Sequence, residues 1–190
     1  MNQLGNGLHY AQRHTESLVV REAELAMLRR LGAPKEHILD TQSNLAGIYL
    51  NVGRDEEASR VLRDVYAGRL KLDGEEAFQT LVAASNYANS LDGIERFEEA
   101  KPLLRKMLPI AQRVLGDRNH YTLKMRCVYA QALSRSTGAT LDDLREAVTT
   151  LEDVQRTARR VFGGAHPITK MVECTLENSR VVLRAREGTA

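Results

Sequence analysis

Three acidic pairs, Glu56-Glu57, Glu98-Glu99 and Asp142-Asp143, are the first residues in this chain with the types and spacing for catalysis. Paired carboxylates act as general acid and general base when their surroundings push their pKa values apart. The histidines are His9, His14, His37, His120 and His166, with no His-x-x-x-His pair among them. Cys127 and Cys174 make no Cys-x-x-Cys, so the sequence offers no metal-ligand spacing. Gly163-Gly164 follows an apolar-periodic run, whereas a phosphate loop follows a strand and opens a helix.

The elements that carry these residues repeat. Gly32, Gly74, Gly116 and Gly163 are spaced by 42, 42 and 47 residues. Ala46, Ala88 and Ala130 keep the 42-residue step, and Ala58, Ala100 and Ala147 follow at 42 and 47. The extra five residues fall in SRSTGATLDD, a turn-forming stretch, and predict a longer loop near 135–143. Each period reads as two helices. The first carries Leu39, Leu45, Ala46, Tyr49 and Leu50, or Leu81, Ala84, Tyr87, Ala88 and Leu91. The second carries Ala58, Val61, Leu62 and Val65, or Ala100, Leu103, Leu104 and Met107. These are helical spacings. The acidic pairs sit where the second helices start, and negative charge there complements the positive end of the helix dipole. That explains them better than catalysis does. Pro102 is tolerable in a first turn, whereas Pro109 is expected to bend its helix or remove one hydrogen bond. Recurrent alanines let paired helices approach closely.

Composition narrows the function further. A net charge of +2, with Arg spread among Glu and Asp, argues against nucleic acid, which needs a clustered cationic excess. No apolar run reaches the roughly 18 residues of a membrane span, so no membrane insertion is expected. No signal-peptide pattern is visible in MNQLGNGLHYAQRH, and two cysteines make no disulfide framework. A cytoplasmic setting is the expectation.

The pattern resembles the tetratricopeptide repeat. The residues that carry the resemblance are Leu45-Ala46-x-x-Tyr49, then Ala58 and Leu62, and the turn Gly53-Arg54-Asp55-Glu56-Glu57-Ala58. The 42-residue period, with Leu115-Gly116-Asp117-Arg118-Asn119-His120 and Phe162-Gly163-Gly164-Ala165-His166-Pro167, is similar to the kinesin light chain type. The tyrosine is kept at Tyr49, while Leu91 and Leu133 replace it. The resemblance implies an all-α, right-handed α-α superhelical solenoid forming one domain. Residues 13–35 would be the second helix of a partial unit. Full units follow at 36–76, 77–118 and 119–165, and 166–187 is a capping helix. The polar residues Lys170, Glu173, Glu177, Arg180, Arg184 and Glu187 fit that cap. The N-terminal helix, with Leu18, Val19, Val20, Leu25 and Leu28, is less polar. Either the first twelve residues cover it, or it continues a larger array, or it self-associates at that edge.

The resemblance also places a binding surface. Solenoids of this family act through the concave face of the first helices. Groove positions carried over to this sequence include Asp40, Asn44, Ser85, Asn86, Asn89, Asp92, Lys124, Gln131, Ser134, Arg135, Thr175 and Asn178. Ser43, Ser85, Cys127 and Cys174 share one register, which predicts a groove floor of small residues. The site expected from the amides, Ser85, Lys124 and Arg135 is a surface for an extended peptide of a protein partner. The same asparagines also fit ordinary solvated side chains. Family members that clamp a C-terminal carboxylate use Lys and Arg where Ser43, Ser85, Val128 and Met171 stand here, so that mode is not expected. The protein reads as a scaffold or adaptor, not an enzyme, with no cofactor and no metal. The alternative is an assembly subunit docking through its convex face or N-terminal edge. His120 and His166 read as equivalent turn or capping residues.

Overall fold

A computed structural model describes residues 2–188, with side chains from residue 16 onward. The described residues form eight helices and no strand: α1 (Asn2–Arg30), α2 (Lys35–Asn51), α3 (Asp55–Asp73), α4 (Phe78–Gly93), α5 (Phe97–Leu115), α6 (His120–Arg135), α7 (Leu141–Phe162) and α8 (Pro167–Glu187). The first helix begins at Asn2, well before the expected residue 13. The chain divides into two compact units, one ending at Gly74 and the other starting at Glu75.

Local chemistry explains where the helices start and stop. Gly74, Gly116 and Gly163 take φ of 83°, 86° and 83° at the ends of α3, α5 and α7. A side chain at such a position clashes with the backbone, and glycine escapes this. Acidic residues occupy the first turns of α3, α5 and α7. Before α7, the Thr140 hydroxyl accepts from the Asp143 N–H while the Asp143 carboxylate accepts from the Thr140 N–H, a full capping box. The longer turn is the stretch Ser136–Thr140. α5 runs unbroken through both Pro102 and Pro109.

In the first unit, α1 packs on α2 and α2 on α3. Ala46 and Ala58 are fully buried, with Leu45, Leu62 and Tyr49 buried around them. A Cβ added at Gly68 would lie 2.6 Å from Leu39 Cδ2, so α2 and α3 meet closely there as well. Arg69 is enclosed where α3 meets α2. It is 5% exposed, ion-paired with Asp40 and 3.2 Å from Asp73, and donates to the Glu36 carbonyl. Leu50 is partly open to solvent, not core.

In the second unit, α4–α5, α5–α6, α6–α7 and α7–α8 are neighbours, and α6 also packs against α4 and α8. The core there joins Leu123, Cys127, Ala130 and Leu133 of α6 to Ala147, Leu151, Val154 and Ala158 of α7 and Ile168, Val172 and Leu176 of α8. Each buried Leu, Ile or Val contributes about 1.5–3 kcal/mol by transfer. Arg126–Asp153, Arg180–Glu152, Arg159–Glu173 and Arg145–Glu187 ion pairs align α7 antiparallel to α6 and α8. Three residues assigned to the cap's outer face, Glu173, Arg180 and Glu187, are thus turned towards α7.

Candidate functional site

Because consecutive helices turn back on each other, the first helices of successive pairs run parallel. In the second unit these are α4, α6 and α8. Polar side chains link α6 and α8: the Ser179 hydroxyl donates to Ser134 Oγ at 3.4 Å, and the Thr175 hydroxyl contacts Gln131 Oε1 at 3.5 Å. An open depression of about 390 Å³ lies over α6 and α8, lined by Gln131, Ser134, Arg135, Thr175, Asn178, Ser179 and Val182. Its lining is an amide, hydroxyl and guanidinium surface with one aliphatic residue. Such a surface can exchange hydrogen bonds with a peptide backbone but holds no nucleophile–base pair. No cluster of three or more His, Cys, Asp or Glu side chains suited to a metal occurs among the described residues.

Charges border this surface. Arg135 is ion-paired with Glu95, and its guanidinium lies 4.8 Å from the Phe97 ring centroid. Asp92 keeps one carboxylate oxygen buried with no hydrogen-bond partner. Burial pushes its pKa up to about 6; Arg135 opposes that shift and Glu95 adds to it. Lys124 is half-buried, and burial lowers its pKa. Burial also lowers the pKa of His120, with Lys124 and His166 acting in the same direction.

The expected contact residues divide by position. Asn86 and Asn89 on α4 are half-buried, and Asn44 on α2, in the other unit, is exposed. Ser85 is buried to 1% exposure, its hydroxyl unpaired, so it lies beneath the α4 surface and not on it. Gln131 and Asn178 come together in the depression. Asn178 is exposed and contacts Cys174 Sγ loosely at 3.9 Å. Asp40 is committed to Arg69. The small-residue register does not form a uniform floor: Cys127 belongs to the core, while Cys174 is exposed. Burial drives the Cys127 thiol up to about 12, with Thr175 pulling it down and Asp92 pushing it up. A thiol held protonated in this way is not a nucleophile. Both cysteines are free.

The helix-capping assignment also shifts by one position. His166 does cap α8, its Nδ1 accepting from the Ile168 N–H at 3.2 Å. The equivalent residue before α6 is Asn119, whose Oδ1 accepts from the Tyr121 N–H at 2.8 Å. His120 instead joins an aromatic row, 5.1 Å from Tyr121 and 6.4 Å from Phe162 between ring centroids. Ser179 and Val182 line the depression without having been singled out by the sequence. They sit one and four residues beyond Asn178, and only the approach of α8 to α6 selects them.

Comparison with known proteins bears on the fold. Residues 38–75 and 80–121 match the tetratricopeptide repeat family. These spans coincide with the α2–α3 and α4–α5 pairs. A crystal structure of nearly identical TPR-like repeats from a putative kinesin light chain of Podosopora anserina, in a form carrying one substitution, superposes with a TM-score of 0.74 at 21% identity. The match covers 95% of this chain and 84% of that one. The form without that substitution gives 0.72 at 21% identity over the same shares. BtubC (BKLC) from P. vanneervenii gives 0.54 at 14% identity, covering 93% of this chain and 75% of that one. No curated protein matches the sequence. Helix order, period, caps and these matches agree: residues 38–75 and 80–121 are tetratricopeptide repeats, within an all-α helical-repeat solenoid whose fold is similar to that of the kinesin light chain-like repeats.

Proposed function

We propose that this protein is a scaffold or adaptor that binds an extended peptide segment of a protein partner across the amide-bearing faces of its first helices. Tetratricopeptide repeats generally mediate protein–protein interaction and are typically non-enzymatic, which supports the class. The observation that carries the finer reading is unmet hydrogen-bonding capacity. Among the described residues, the side chains of Asn44, Asn86 and Asn89 make no hydrogen bond, although Asn86 and Asn89 are half-buried. Partly desolvated amides gain from a ligand that supplies partners. An extended backbone offers alternating N–H and C=O groups that suit Asn donors and acceptors whatever the peptide sequence. Gln131 and Asn178 continue the register of Asn89 over the depression, and Lys124 adds a cation with no carboxylate paired to it among the described residues. Ser85 would support this surface from below, and Arg135 would border it.

The test is binding to a tiled array of extended peptides, compared between the native chain and Asn86→Ala/Asn89→Ala. Loss of two hydrogen bonds, each worth about 0.5–1.5 kcal/mol, predicts roughly 5- to 150-fold weaker binding with unchanged helical circular dichroism. Asn44→Ala/Asn86→Ala asks the same of both units. Undiminished binding in these variants would move the function to another surface of the molecule.

A further inference from the structure

The inner face of α1 is settled: Leu18 and Leu25 are buried, and Leu28 is partly so. Its opposite face is apolar too. Val19, Val20, Met27 and Leu31 are 62%, 66%, 57% and 67% exposed, and Ala23 is exposed between them. At about 100° per residue these positions fall within an arc of about 120°, directly across the helix from Leu18 and Leu25. A surface helix normally shows one apolar stripe against the core and polar residues opposite it. Two opposed apolar stripes describe a helix built to be covered on both sides.

The charges at the ends of this stripe say what covers it. Glu16 stands at one end and Arg30 at the other, both on the exposed arc, and neither has an ion-pair partner among the described residues. They are separated by about 21 Å of helix, with Ala23 midway between them. We propose that this face is the interface for a second copy of the chain, with the two α1 helices antiparallel about a two-fold axis at Ala23. That arrangement sets Glu16 of each copy against Arg30 of the other and Val19 against Met27. The small Ala23 side chains at the axis allow the helices to approach to roughly 8–10 Å. A parallel pairing would set Glu16 against Glu16 and Arg30 against Arg30. The patch is small, on the order of 800 Å² in total across both copies, below the usual range for stable complexes. The proposed dimer is weak, with a Kd on the order of tens to hundreds of micromolar as for small transient contacts, and is independent of the peptide-binding reading.

Sedimentation velocity of the intact chain over roughly 5–500 µM, bracketing that Kd, tests it. The expected result is a concentration-dependent monomer–dimer equilibrium. Met27→Glu, at an exposed position that leaves the core intact, abolishes it. Glu16→Arg or Arg30→Glu alone weakens it about tenfold, and the two together restore it. In a Cys174→Ser background, which removes the exposed thiol, Ala23→Cys forms an intermolecular disulfide on oxidation, since facing residues at the axis come within bridging distance. A monomer at every concentration overturns the proposal and leaves the face to a different helix. A dimer unaffected by Met27→Glu puts the interface elsewhere. A double charge swap that fails to restore association overturns the antiparallel register.

Discussion

Asp92 keeps a carboxylate oxygen buried without a donor, and the cost shows in its titration. Its pKa is raised to about 6 from an ordinary value near 3.8, with burial as the main cause. A carboxyl whose folded pKa exceeds its unfolded value stabilises the fold while protonated. That contribution is complete below about pH 4 and is lost as pH rises through about 6. Asp92→Asn should therefore raise the melting temperature at pH 7.5, and the advantage should vanish near pH 4. Thermal melts of both proteins at the two pH values check this. An advantage of equal size at both would assign the effect to packing. The sequence placed Asp92 on the groove face and stopped there, because its pKa depends on Arg135, Glu95 and the packing around it. Glu95 itself was unforeseen. It adopts φ 59°, the left-handed backbone that Gly53 takes at 76° one period earlier, so a glycine position is filled by a side chain that pairs with Arg135.

At the scale of the helix pair, alanine sets the spacing. Ala46 and Ala58 are both fully buried where α2 meets α3, and the equivalent Ala88, Ala100, Ala130 and Ala147 are equally buried in the second unit. Ala58→Leu inserts three carbons into a contact with no room for them and should destabilise by about 1–3 kcal/mol. Denaturant unfolding of the variant measures this, and an unchanged midpoint would contradict the close packing. This element-level pattern was legible because a strict 42-residue step leaves the same residue types at the same contacts. Boundaries were less so. Thr140-x-x-Asp143 is a readable capping signature, yet the acidic pair Asp142-Asp143 overshadows the threonine that completes it. Pro109 costs α5 a hydrogen bond without ending it, since side chains such as Leu104, Met107 and Ala111 are fully buried on either side.

For the whole chain, stability in helical repeats is close to a sum of terms within each repeat and between neighbours. α6 is packed against four helices of its unit, while α1 packs on α2 with its other apolar face open. Native-state hydrogen exchange at low concentration should find the slowest amides in α6 and α7 and faster ones in α1. Equal protection in α1 and α6 would mean that α1 is covered in solution. By itself the sequence determined the helix-pair period, the alanine contacts, the glycine stops and the amide character of the first helices. All of these follow from local conformational preference and from a pattern repeated in register. Only the tertiary structure decided which of two equivalent residues is buried. Ser85 and Cys127 sink beneath their neighbours, Cys174 does not, and Arg69 is enclosed while most arginines are solvated. Burial is conferred by helices far along the chain, and a residue's repeat position cannot say whether another helix arrives to cover it.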